Sequence, residues 1–318
     1  MSNQLREHGP AQLLLAPSQR NPHRRHRSVA SPKLLLLVSV LQPERMPCRT
    51  EPQHPEDYMP TIERPNCDLF YEETGSGPAI VFAHGAGGNH LSWWQQIPLF
   101  ARSYRCVAFD HRGWGRSIPT GGPGLAAFVD DLIALMDELR IERAALVAQS
   151  MGGWTCLGAA LQAPERVAAL VMADTMGGLM TDAIRGPWEE TRKLVEGQGL
   201  GQLAYDQGLR DRDPALAFLY DEIMAMNPPR DPELIGMLGE LAPDADAVAD
   251  LPMPVLWIVG GNDPLVSPIV MREAHAHVSG SEYYEVPATG HSVYFERAEE
   301  FNGQLNRFLV DAGWGNGI

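Results

Sequence analysis

From Met59 onward, short runs of consecutive apolar residues alternate with longer stretches whose apolar residues recur at helical spacing. The run Ala79-Ile80-Val81-Phe82-Ala83 contains no polar side chain. Such a strand suits a sheet covered on both faces, the situation of a parallel sheet between helices. Strands are predicted at Cys67–Thr74, Ala79–Ala83, Arg105–Phe109, Ala144–Ala148, Val167–Ala173, Val255–Val259 and Tyr283–Val286. Helical patterns fall between them: Leu125–Leu139, a segment following Ser150, and a segment within Ala298–Val310. The first keeps Asp130, Asp131, Asp137 and Glu138 on its outer side. This alternation predicts an α/β fold with a mostly parallel central sheet of about eight strands flanked by helices.

The alternation stops between Thr175 and Leu251. Four helical stretches follow one another there, roughly Pro187–Glu196, Gly201–Leu209, Asp213–Met226 and Pro232–Leu241, with no strand pattern among them. Asp213-Pro214 and Asp231-Pro232 read as N-cap and first-turn proline pairs. A helical insertion between strands six and seven is expected to form a cap over residues 175–251, with the α/β core made of 59–174 and 252–318. The insertion carries Met176, Met180, Met224, Met226, Met237 and Trp188. Flexible thioethers suit an adaptable apolar pocket wall. For any single methionine, a place in the cap's own core is the plainer reading.

Residues 1–58 differ in composition. They hold eight prolines and eight Arg/Lys against five Asp/Glu, for a charge of +3. The single apolar run, Leu34–Leu41, is far short of the roughly 20 residues needed to span a membrane. Basic residues precede that run as in a signal peptide, but no small-residue cleavage site follows it. The segment is therefore expected to be a disordered leader or an over-long start, with Met59 as the alternative beginning. The whole chain carries −15, which argues against nucleic acid as a partner. Only Lys33 and Lys193 are lysines. Neither follows a glycine-rich loop, which excludes a Walker-type phosphate cradle, and neither suggests a Schiff-base enzyme. Cys48, Cys67, Cys106 and Cys156 show no CxxC pair and no metal-ligand spacing. No metal is expected, and a reduced, cytoplasmic setting fits best.

Four loops carry residues suited to chemistry, each just beyond a predicted strand. Ala144–Ala148 leads into Gln149-Ser150-Met151-Gly152-Gly153 and then a helix. A serine on a sharp strand-to-helix turn has its hydroxyl pushed clear of the backbone, while the helix N-terminus offers positive potential to a developing anion. Small residues are needed two positions to either side, and Ala148 stands where glycine is usual. His84-Gly85-Ala86-Gly87-Gly88 follows Ala79–Ala83 and can aim backbone N–H groups at an oxyanion. Val255–Val259 ends in Gly260-Gly261-Asn262-Asp263-Pro264, and Tyr283–Val286 in Pro287-Ala288-Thr289-Gly290-His291. A nucleophile, a carboxylate and an imidazole placed this way converge on one edge of a parallel sheet.

Taken with Asp110-His111-Arg112-Gly113-Trp114-Gly115-Arg116-Ser117, these motifs in this order resemble the α/β-hydrolase family over about residues 59–318. The resemblance implies Ser150 as nucleophile, Asp263 as acid, His291 as base, the amides of Ala86 and Met151 as oxyanion hole, and a lid after the sixth strand. It implies a cofactor-free hydrolase acting on a small-molecule ester or lactone. Enol-lactonases, C–C bond hydrolases, perhydrolase-type haloperoxidases and a few lyases share the arrangement, and a ligand receptor on the same fold is the reading from another class. Serine at position 150 argues against dehalogenase and epoxide chemistry, which use aspartate there.

Rivals exist for the acid and the base. Asp174 follows strand Val167–Ala173 and competes with Asp263, whose loop is fixed by glycines and Pro264. His84 and His111 are expected to orient backbone, while His275 and His277 read as solvated surface. Asp110, Arg112 and Ser117 are expected to pin a turn. Trp93 or Trp94 is expected to line the substrate pocket, with the other in the core. Met176, Trp188 and Met224 are the cap residues expected to face substrate.

Overall fold

The computed structural model describes residues 60–229 and 236–318. The expected leader over residues 1–58 and the Asp231-Pro232 pair lie outside the described residues. Eight strands form one sheet: β1 (Thr61–Arg64), β2 (Cys67–Thr74), β3 (Ala79–Ala83), β4 (Arg105–Phe109), β5 (Ala144–Gln149), β6 (Val167–Ala173), β7 (Val255–Gly260) and β8 (Glu282–Val286). Their order is β1-β2-β4-β3-β5-β6-β7-β8. β1 and β2 pair antiparallel, as do β2 and β4, and every pairing from β4 through β8 is parallel.

The unbroken apolar runs are the buried centre of this sheet. Every residue of β3, β5, β6 and β7 is buried. Successive side chains leave a strand on opposite faces, so each run feeds two cores. Val81, Leu146, Leu170 and Trp257 join one cluster, while Ile80, Phe82, Val147 and Ile258 join the other. Helices Phe128–Glu138 and Gly152–Gln162 contribute Leu132, Leu135, Cys156 and Leu157 to the first cluster. Helix Ala298–Asp311 contributes Phe301, Leu305 and Phe308 to the second. β1 was not among the expected strands. It has one buried residue, Ile62, and is held by its ladder with β2 rather than by apolar content.

Between β6 and β7 the described chain contains helices and no strand: Asp182–Leu194, Leu200–Leu203, Leu209–Arg212, Pro214–Ala225 and Ala245–Ala249, with a 3-10 turn at Gly236–Leu241. Two of these stretches differ from the sequence reading, and one agrees with it. The helix expected to start at Pro187 starts at Asp182, because Thr181 caps it with its hydroxyl accepting from the Ile184 N–H at 3.2 Å. Pro187 lies inside that helix. The stretch expected over Gly201–Leu209 is two single turns. Asp213 does cap the next helix, accepting from the Leu216 N–H at 2.9 Å, with Pro214 in the first turn.

The sheet order reverses direction at β3: β4 lies on one side of it and β5 on the other. At such a switch point the loops leaving neighbouring strands part, and a crevice opens at their carboxyl ends. The loops flanking this one are His84–Gly88 after β3 and Ser150 after β5.

Candidate active site

Ser150 follows the last residue of β5 with φ of +48°. That left-handed conformation is disfavoured for a residue with a Cβ and marks a constrained turn. Two bonds fix it: the Ser150 N–H donates to the Ala173 carbonyl at 3.0 Å, and the Gly153 N–H donates to the Ser150 carbonyl at 2.8 Å. The helix Gly152–Gln162 starts at once, so its N-terminus faces the same space as the hydroxyl. The loop after β3 approaches so closely that a methyl group at Gly85 would stand 2.9 Å from the Ser150 Cβ. Ala148 is fully buried in the core, and its methyl is absorbed there, which explains why glycine is dispensable at that position.

His291 stands between Ser150 and Asp263. Its Nε2 lies 2.8 Å from the Ser150 Oγ, and its Nδ1 lies 3.0 and 2.9 Å from the two Asp263 oxygens. Asp263 Oδ1 also accepts from the Leu265 and Val266 N–H groups at 2.8 and 3.0 Å. Both side chains are buried, His291 at 4% and Asp263 at 0% exposure, whereas Ser150 remains partly accessible. Burial alone would depress the imidazole's pKa. The adjacent Asp263 charge and hydrogen bond, with Asp174 and Glu296 nearby, outweigh it and hold His291 above its usual value.

The segment carrying His291 is fixed on several sides. Gln149 Nε2 donates to the His291 carbonyl at 2.7 Å. Glu296 accepts from the Gly290 N–H at 2.9 Å and from the Asp206 N–H at 3.1 Å. Ser292 Oγ donates to the Ala204 carbonyl at 2.6 Å. Burial raises the Glu296 carboxyl to about 7, against the lowering effect of the amides it accepts.

Asp174 is also buried beside the pair, but both of its oxygens are taken by backbone amides, Gly260 and Val293, at 2.9 Å each. The imidazole is bonded to Asp263. His84 and His111 bond to each other and to backbone: His84 Nε2 accepts from the His111 N–H at 3.0 Å, and His111 Nε2 meets Thr155 Oγ1 at 2.9 Å. Asp110 Oδ1 accepts from the His90 N–H at 2.6 Å and Oδ2 from the Arg116 N–H at 2.7 Å. Ser117 Oγ donates to the Asp110 carbonyl at 2.8 Å, and Arg112 forks onto Asp131 at 2.6 and 2.7 Å. These residues pin the turn below the site. His275 and His277 are half-buried rather than fully solvated, and each is hydrogen-bonded.

Around the loop after β3, Trp114 Nε1 donates to the Ala86 carbonyl at 2.8 Å. Ala86 and Met151 belong to one small apolar cluster with Leu125, Leu238 and the half-buried Trp154 and Leu200. Ala86 and Met151 were expected from sequence as the oxyanion hole; Leu125, Leu238, Trp154 and Leu200 were not expected near substrate. For Trp154 a signal existed: it stands four residues beyond Ser150, one helical turn along. Of the four residues that were expected there, Met224 lies over this loop, its sulfur 3.7 Å from where a methyl at Gly87 would sit. Trp93 does not line a pocket. It is fully buried, packed on Phe82 and Tyr294 with ring centroids 5.0 and 4.5 Å away, because its short helix lies directly on the sheet. Met176 is likewise core, at 2% exposure. Trp188 is half-buried against the same core as Met176, under the Arg192 guanidinium. A cleft of about 560 Å³ opens beside the Asp263 loop, walled by Thr191, Gln202, Tyr205, Asn262 and Ser267 among others.

The family description that matches residues 78–219 is the alpha/beta hydrolase fold. A 2-hydroxy-6-oxononadienedioate/2-hydroxy-6-oxononatrienedioate hydrolase of Burkholderia vietnamiensis is 30% identical over 275 residues, covering 76% of this chain and 90% of that one. The chain belongs to the α/β-hydrolase fold family. Within this family a Mycobacterium tuberculosis protein bearing a non-heme bromoperoxidase name is 28% identical, covering 76% of this chain and 98% of its own. The solved structure of a thermophilic esterase from Thermogutta terrifontis shares the fold with a TM-score of 0.66 at 22% identity, covering 80% of this chain and 97% of that one. Membership supports hydrolase activity on a small molecule. Among the described residues no helix is long and apolar enough to cross a membrane.

Proposed function

We propose that this α/β-hydrolase is a serine esterase that cleaves small carboxylic esters through an acyl-enzyme on Ser150. The observation that carries the reading is the continuous hydrogen-bonded line from Ser150 Oγ through the His291 ring to Asp263. Deprotonation of Ser150 by His291 Nε2 lets Oγ attack the ester carbonyl. His291 then returns that proton to the leaving alcohol, and the ester's C–O bond breaks. Asp263 holds the Nδ1–H tautomer and stabilises the imidazolium between the two steps. Water, deprotonated by the same imidazole, releases the carboxylic acid and restores the serine. The oxyanion formed at each addition is assigned to the amides of Ala86 and Met151. Neither N–H donates to another group among the described residues, and Trp114 fixes the Ala86 peptide chain beside them.

The helices of residues 175–251 are the proposed cap over a core made of 59–174 and 252–318. Substrate selection is assigned to the cap where it reaches the loop after β3, with Met224 as its best-placed side chain. A panel of p-nitrophenyl esters of increasing acyl length tests the reading. The parent protein should turn over short esters, Ser150→Ala should lower kcat on the order of 10⁴-fold or more with the fold intact, and Met224→Ala should move the preferred chain length upward. Retained turnover in Ser150→Ala sinks the proposal. Ligand-dependent thermal shifts without turnover in the parent would favour a binding protein on the same fold.

A further inference from the structure

The end of β6 touches all three segments that carry Ser150, Asp263 and His291. The Ala173 carbonyl accepts the Ser150 N–H at 3.0 Å. The next residue, Asp174, turns into the left-handed region with φ of +52°, a conformation that costs a non-glycine residue energy. This turn accompanies a fully buried carboxylate with one oxygen on each neighbouring segment. Oδ1 accepts from the N–H of Gly260, three residues before Asp263, and Oδ2 accepts from the N–H of Val293, two residues after His291. Among the described residues it is the one side chain hydrogen-bonded to the backbone of both segments.

The two segments are already in close contact. The Gly261 and Asn262 N–H groups donate to the Val286 and Thr289 carbonyls at 2.8 Å each, and a methyl group at Gly260 would overlap the Gly290 carbonyl. Those bonds lie on the side leading into His291. Val293 lies beyond it, and there the tie to the acid segment runs through Asp174.

We infer that Asp174 is a positioning residue for the proposed hydrolysis, setting the distance between the acid and base segments from the end of the nucleophile's neighbouring strand. The inference rests on the Ser150–His291–Asp263 reading above. A carboxylate suits the task because both of its oxygens accept, so it satisfies two buried N–H donors at once. Asparagine has nearly the same shape but one acceptor, so its amide nitrogen would face one of the two N–H donors and open that side.

The test is the second-order rate at which a fluorophosphonate labels Ser150, measured with kcat and KM for p-nitrophenyl acetate. Labelling rate reads the competence of serine and imidazole independently of substrate fit, and its end point reads the fraction of folded sites. Asp174→Asn should slow labelling and lower kcat by similar factors, about 10- to 100-fold, with KM within about twofold of the parent. Asp174→Ser leaves room for water in place of the lost oxygens and serves as a second variant should the first fold poorly. A folded variant that labels at the parent rate, or one whose defect lies only in melting temperature, overturns the inference. Absence of Ser150 labelling in the parent would instead remove the triad reading beneath it.

Discussion

In the proposed hydrolysis His291 can take a proton from Ser150 only while its ring is neutral. Its folded-state pKa is raised, the effect of Asp263 outweighing burial. The imidazole therefore charges, and activity falls, as pH drops through a value above the ordinary 6.5 or so. The acidic limb of kcat/KM for a short ester should lie above that value. In Asp263→Asn the limb should move to lower pH, because burial then acts on the ring without its counter-charge, and turnover should fall about 10⁴-fold. A pH–rate profile of the two proteins checks both. An unmoved limb would mean that the titrating group is not the Asp263-bonded imidazole. At this scale the sequence was informative where a residue follows a strand end at a glycine-rich turn, as Ser150, Asp263 and His291 do. It was uninformative where a role depends on which backbone groups face a side chain. Asp174 was weighed as a rival acid, and its bonds to Gly260 and Val293 join positions 86 and 119 residues away. Gln149, next to the serine, gave no sign that it would hold the His291 carbonyl.

The strands from β2 onward were the elements most legible in the sequence, whether wholly apolar like β3 and β6 or partly polar like β2 and β8. β2, β3, β4 and β6 occur at the expected bounds, and β5, β7 and β8 differ by one residue at one end. β1 and the short turns between β6 and β7 were less legible. β1 has a single buried side chain, supported by Arg64 reaching Asp131 at 3.0 Å. The two single turns after Gly199 are separated by Tyr205 and Asp206, which bond to helix Pro214–Ala225 and to Glu296. Glu296 gives this junction a pH dependence. Its carboxyl, raised by burial to about 7 from an unfolded value near 4.5, favours the folded state fully below the unfolded value. That contribution is lost progressively as pH rises from the unfolded value through about 7, and amounts to something on the order of 3 kcal/mol. Melting temperature should therefore fall between pH 4.5 and pH 7.5, and the fall should be smaller in Glu296→Gln. Equal slopes for the two proteins in a thermal-melt series would show that Glu296 does not ionise in this range.

At the scale of the whole molecule, the sheet's two buried faces and its switch point explain why chemistry gathers where it does. Side chains on β3, β5, β6 and β7 are consumed by packing, so polar function is left to the loops at the carboxyl ends. The alternation of apolar runs and helical periods made this architecture readable, and the strand-end motifs made the candidate site readable. The apolar surroundings of the site were less so. Trp93 and Met176 are core, while Leu125, Trp154, Leu200 and Leu238 gather around Ala86 and Met151 from four separate segments. Helical spacing cannot reveal such a gathering, because it is set by how the segment after β6 folds back over the sheet edge. The proposed reaction has one obligatory intermediate, an ester on Ser150. Rapid acid quench during turnover of a p-nitrophenyl ester, followed by intact-mass and peptide-level mass spectrometry, looks for it directly. One added acyl group should appear, mapped to the peptide containing Ser150 and absent from Ser150→Ala. Turnover with the acyl group on another residue, or unchanged mass under conditions where p-nitrophenol is released in a burst, would contradict it.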